Sequence, residues 1–117
     1  MQGIVTRKMA LDEGLAQRVR ELLENEPGFQ EKKMFGGLCF LIQGNMACGI
    51  IKDDLIIRVG TERYEDALKR SHARKFDITG KPLKGWVMVS WEGHEADEDL
   101  SAWIEQGVRY ARSLPPK

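Results

Sequence analysis

Cys39, Cys48, His72 and His94 are the side chains whose chemistry would stand out, as nucleophiles, proton carriers or zinc ligands. Their spacing argues against each of these roles. Structural zinc motifs hold their ligands in close pairs, and no CxxC or HxxxH pairing occurs here. Ser71 and Ser90 flank the histidines in sequence, yet neither stands in a GxSxG elbow. His72 falls in a basic stretch and His94 in an acidic one, and both are expected on the surface. If Gly44-Asn45 forms a two-residue turn, Leu41 pairs with Cys48 and Cys39 pairs with Ile50. The thiols then lie diagonally on one sheet face, about 7–8 Å apart, which is long for a disulfide. Two buried core thiols are expected. Gly36-Gly37 precedes an apolar strand pattern, whereas a phosphate cradle needs a helix there, so the pair reads as a bulge or bend. The sequence therefore assigns no catalytic, cofactor-binding or metal-ligating residue. No enzymatic activity is expected.

Charge gives the next clue. Eighteen basic and eighteen acidic residues cancel, and a domain that binds nucleic acid alone usually carries a basic excess. The charges are nevertheless segregated. Lys69 to Lys84 holds six basic residues against Asp77 alone, while Glu92 to Asp99 holds five acids and no Lys or Arg. Solvated loops and a helix start account for both runs. The alternative is a contact surface for a partner or for nucleic acid. It would use Arg70, His72, Arg74, Lys75, Lys81 and Lys84, with Phe76 available to stack on a base.

These residues must be positioned by one domain, since 117 residues leave no room for two independent cores. Leu11, Leu15, Val19, Leu22 and Leu23 recur at helical spacing, predicting a helix from Leu11 to Glu24 that ends before Pro27. A meander of short strands follows: Lys32–Phe35, Leu38–Ile42, Met46–Ile51 and Leu55–Val59. Its turns are expected at Gly44-Asn45 and Asp53-Asp54. Thr61 is placed to cap a short helix to Arg70. Phe76 and Ile78 alternate as in a strand, Thr79 to Pro82 turns the chain, and Gly85 to Trp91 alternates strongly. Leu100, Trp103, Ile104, Gly107 and Ala111 mark a last helix over 97–113, with acids at its start and arginines near its end. The expected architecture is α+β: a curved antiparallel sheet with helices packed on one face, in the order α-β-β-β-β-α-β-β-α. No run approaches the ~20 apolar residues of a membrane span, and a cytoplasmic location is expected.

The run Met34-Phe35-Gly36-Gly37-Leu38, then Phe40, Gly44-Asn45, Met46 and Leu55-Ile56-Ile57-Arg58-Val59, resembles the TfoX N-terminal domain family. Phe76, Gly80-Lys81-Pro82 and Gly85-Trp86-Val87-Met88-Val89 continue the likeness, which covers residues 9 to 114. The resemblance implies a single domain over 1–117 with a secretion-chaperone-like α+β fold. Full-length members regulate natural-competence genes, as co-activators beside a cyclic-AMP-responsive transcription factor. They carry a second, C-terminal helical domain that is not expected in this chain. The family supplies no catalytic residues to carry over.

Three functional readings follow. The first is a non-catalytic protein-interaction or transcription-regulatory accessory domain with a protein partner. A homodimer through an edge strand or the open face of the Trp86 strand belongs to this reading. The second is direct nucleic-acid binding through the basic 69–84 segment. The third is a small-molecule or enzymatic pocket between sheet and last helix, drawing on Trp86, Trp91 or Trp103.

Overall fold

The computed structural model describes residues 11–34, 36–77 and 80–117. Its first helix, α1 (Glu13–Leu23), is started by Asp12, whose carboxylate accepts the Leu15 amide at 3.0 Å. That side chain satisfies one of the amides that a helix start leaves open. Leu15, Ala16, Val19 and Leu23 turn inward. Leu22 does not, and remains exposed at the margin of the expected stripe.

Four strands then form a meander: β1 (Phe29–Met34), β2 (Gly37–Ile42), β3 (Asn45–Ile51) and β4 (Asp54–Arg58). Helix α2 (Tyr64–Leu68) leads to β5 (Ala73–Lys75) and β6 (Trp86–Val89). A 3-10 turn (Trp91–Gly93) precedes the long helix α3 (Asp97–Ser113). The strands make one antiparallel sheet in the order β1-β2-β3-β4-β6-β5. The expected α+β class and element order are therefore observed.

Several local expectations shift. The β2–β3 turn is Gln43-Gly44, because Ile42 pairs with Asn45. Both turn residues have positive φ, 54° and 85°, the conformation that suits a two-residue hairpin. Asn45 instead begins β3, and its buried amide donates to the Pro115 carbonyl at 3.0 Å. Likewise the β3–β4 turn is Lys52-Asp53, with Ile51 opposite Asp54. The short helix starts at Tyr64 with no side-chain cap from Thr61. Trp91 leaves the strand for the 3-10 turn and is 48% exposed. Ile78 and Thr79 lie outside the described residues.

One sheet face carries the core. Leu38, Phe40, Cys48, Ile50, Leu55, Ile57, Val87 and Val89 pack against α1, α2 and α3. Helix α3 sits close: a Cβ on Gly107 would fall 3.1 Å from the carbonyl carbon of Ala47, with the oxygen nearer still. Gly37 is similarly pressed onto the Ile50 carbonyl, so in the Gly36-Gly37 pair the second glycine is needed for close approach. Arg112 donates to the Glu26 carboxylate and Arg18 to Asp97 at 2.9 Å, tying α3 to the end and the middle of the first helical segment. Among the described residues no helix is long and apolar enough to cross a membrane.

Candidate functional site

The register revises the cysteine geometry. Phe40 pairs with Cys48 and Cys39 with Gly49, because β3 carries an irregularity opposite the Phe40–Leu41 step. Cys48 therefore points into the core beside Phe40, whereas Cys39 points to the opposite face. The expectation of two thiols on one face is corrected: the moved turn alone would keep them together, but the extra β3 residue, Ala47, slips the register by one, and a one-residue slip exchanges faces. Both thiols are free and buried, as expected. Burial pushes both up from the ordinary thiol range, Cys48 the further of the two.

His94 also departs from expectation. It is only 3% exposed, and its Nε2–H donates to the Asp53 carbonyl at 2.9 Å. Because a carbonyl can only accept, this contact places the proton on Nε2. Nδ1 is buried with no hydrogen-bond partner. The Arg18 guanidinium covers the backbone from outside, donating to the carbonyls of His94 and Glu95. His94 thus fastens the β3–β4 turn to the segment before α3. His72 is exposed, with a positive φ of 69°, and accepts the Ser90 amide through its carbonyl.

The basic segment is not one surface. Arg70 lies over the Trp103 ring at 4.5 Å, on the helical side. Arg74 takes the other face of the sheet, where it donates to Asp54 at 3.0 Å. Lys75, Lys81 and Lys84 are exposed, and Phe76 is buried near Trp86, with ring centroids 6.1 Å apart. Stacking of Phe76 on a base would require it to leave that site. The three tryptophans do not converge either. Trp103 is in the core, Trp86 is on the far face and Trp91 stands in solvent.

The far face of the sheet is what the structure adds. Strand alternation puts Met34, Cys39, Leu41, Met46, Ile51, Ile56, Trp86 and Met88 there, opposite the helices. The contacts agree: the Cys39 thiol lies 3.7 Å from the Met34 sulfur, and the Met46 methyl reaches over Gly49. Ile56, paired between Gly49 and Met88, is 2% exposed and belongs to neither helix-facing cluster. Met34 is 40% exposed, and Leu41, Met46, Ile51, Trp86 and Met88 are half-buried. No described helix packs on this face. Its rim is charged, with Asp54 and Arg74 paired and the Arg58 guanidinium 5.1 Å from the Trp86 ring. All three described methionines lie here, and unbranched thioethers re-pack against varied shapes.

A signal for this face was present in the sequence. Leu38 to Ile42 is apolar at every position, and a strand wet on one side alternates instead.

Among the described residues, a six-stranded antiparallel sheet has helices on one side and a methionine-bearing apolar face without a helix on the other, which defines an α+β domain. The profile of the TfoX N-terminal domain matches residues 21–111, and the chain belongs to that family. No curated protein matches it.

Proposed function

We propose that this chain is a non-catalytic interaction domain that serves gene regulation by docking a protein partner on the open face of its sheet. The observation that carries the reading is that face itself, apolar at its centre around Ile56 and ringed by adaptable methionines and charged rim residues. Contiguous apolar surface with a polar border is characteristic of protein-interaction sites. Membership of the TfoX N-terminal domain family supports a regulatory setting.

Nucleic-acid binding through residues 69–84 is weaker as a reading, because Arg70 and Arg74 are engaged on opposite sides of the sheet.

Photo-crosslinking tests the main reading. A crosslinking residue in place of Met34 or Met88 should capture a discrete partner in cells, and one in place of exposed Glu105 on α3 should not. Adducts with no preference between these positions would defeat it. A mobility shift abolished by neutral substitution of Lys75, Lys81 and Lys84 would favour the nucleic-acid reading.

A further inference from the structure

At the opposite end of α3 from His94 there is a cleft of about 430 Å³ between the β4–α2 loop and the last turns of the helix. The loop contributes Thr61, Glu62 and Arg63, and the helix contributes Arg109, Tyr110 and Ser113. This volume lies within the range of small-molecule sites, roughly 300–1,000 Å³.

Its construction is specific in two respects. First, arginines come from both walls. Arg63 has no carboxylate within salt-bridge distance among the described residues, and Arg109 reaches only Glu105, at 3.5 Å on an exposed helix face. Arg63 and Arg109 line the cleft from its loop wall and its helix wall, and like charges in one cleft repel unless an anion lies between them. With Arg58 beside the Tyr110 ring, three guanidiniums stand against the carboxylates of Glu62 and Glu105, which leaves one positive charge in excess. Second, Tyr110 is held by packing on more than one side. Gly60, at φ 87°, brings backbone so close that a Cβ there would fall 2.6 Å from Cδ1 of the ring. The Arg58 guanidinium lies 5.3 Å from the same ring and 5.1 Å from Trp86, so Trp86, Arg58 and Tyr110 form a chain of planar groups ending at the cleft. The amides of Val59 and Gly60 both donate to the Gly85 carbonyl. Those two amides are spent within the fold, and the Ser113 hydroxyl donates to the Tyr110 carbonyl at 2.6 Å; the cleft offers a flat ring, two arginines and the Thr61 hydroxyl.

We infer that this cleft binds a nucleoside monophosphate group, with the phosphate between Arg63 and Arg109 and the base against Tyr110. Arginine suits the phosphate because its fork donates to two oxygens at once. Aromatic stacking suits a base and makes little demand on its identity. The same group occurs as a free mononucleotide and as the 5′-phosphorylated end of a nucleic-acid strand. The site is separate from the open sheet face and does not depend on the function proposed for it.

The test is NMR titration of the intact chain at low ionic strength with three probes: adenosine monophosphate, inorganic phosphate, and a short 5′-phosphorylated single strand. Adenosine monophosphate or the strand should shift the amides of Thr61, Arg63, Arg109 and Ser113 saturably. Whichever of the two binds more tightly identifies the source. Arg63→Glu with Arg109→Glu should weaken binding about tenfold or more, the loss expected when charge-assisted hydrogen bonds go. Tyr110→Leu should weaken adenosine monophosphate but leave inorganic phosphate unchanged. Thermal melts of each variant check folding, and the double arginine variant, being at the surface, keeps the test valid if Tyr110→Leu fails to fold. The proposal is overturned if neither adenosine monophosphate nor the strand binds saturably, if phosphate alone binds as tightly as the nucleotide, or if binding survives the double arginine substitution.

Discussion

Substituting Gly107 by Ala tests how α3 is seated on the sheet. In an isolated helix the change would help, since Ala is favoured over Gly by about 1 kcal/mol. Here the new methyl carbon would stand 3.1 Å from the carbonyl carbon of Ala47, with the oxygen closer. Carbon–carbon contacts are optimal at roughly 3.5–4.0 Å, so α3 must lift from β3 by about 1 Å. A backbone carbonyl in the middle of a sheet cannot rotate aside as a side chain would. Overpacking costs about 1–3 kcal/mol; a fixed backbone carbonyl puts this case in the upper part, about 2–3 kcal/mol, which wins over the propensity gain. The expected net loss is about 1–2 kcal/mol, which lowers Tm by about 4–8 °C in a domain of this size. Gly14 provides the control. It lies in the first turn of α1, and its nearest neighbour to an added Cβ is the Asp12 carboxylate at 3.5 Å, an ordinary contact. Gly14→Ala should therefore be neutral or raise stability by up to about 1 kcal/mol. Thermal and urea melts followed by far-ultraviolet circular dichroism measure both variants. A Gly107→Ala protein as stable as the parent would show that no such close helix–sheet approach exists.

Three further expectations concern ionisable and buried groups. Arg20 donates to Glu31 at 2.7 and 2.8 Å and holds its carboxyl below the usual carboxylate range. Stability from this pair is present above the unfolded carboxylate value, about 4.3, and is lost as pH falls through the lower folded value. Glu31→Gln should reduce that acid-side dependence, and by no more than about 1 kcal/mol because the pair is partly solvated. Both thiols should resist a disulfide reagent in native protein and react on denaturation, with Cys48 the slower under partly destabilising conditions; rapid native labelling of Cys48 would contradict its place in the core. His94→Ala should cost about 2 kcal/mol by removing a buried ring and its bond to Asp53. An unchanged urea midpoint would argue against His94 as the tie between the β3–β4 turn and α3.

Much of the architecture is legible in the residues because the helical stripes are clean. Leu15, Val19 and Leu23, and Leu100, Trp103, Ile104 and Ala111, recur at a period that only a helix satisfies, and all are buried. The order β1-β2-β3-β4 also follows from short turns between adjacent strands, whereas the place of β6 between β4 and β5 does not. What fails is register. Gly44-Asn45 looks like a hairpin turn, yet Gln43 accepts a positive φ and Asn45 is drawn into β3 by its bond to Pro115, 70 residues away. The turn shift alone would leave both thiols on one face; the extra residue in β3 is what puts Cys39 on the other. His94 is misread for a related reason: its polar neighbours in sequence say nothing of the Asp53 carbonyl that meets it in space. The cleft beside Tyr110 is invisible for the same cause, since its arginines lie 46 residues apart and nothing local marks them as lining one cleft. The family likeness was legible, because its glycine and tryptophan positions are local runs.

The two rims of the sheet have a consequence for how molecules meet. On one rim, Gln30 to Met34 of β1 is exposed and includes Glu31, Lys32 and Lys33; the other rim, β5, is three residues long. Charged or very short borders make poor templates for adding another strand. End-to-end polymerisation by strand addition is thereby discouraged, while no described helix covers the broad methionine-bearing plane. On the proposed function, a partner would be steered across the sheet and away from its borders.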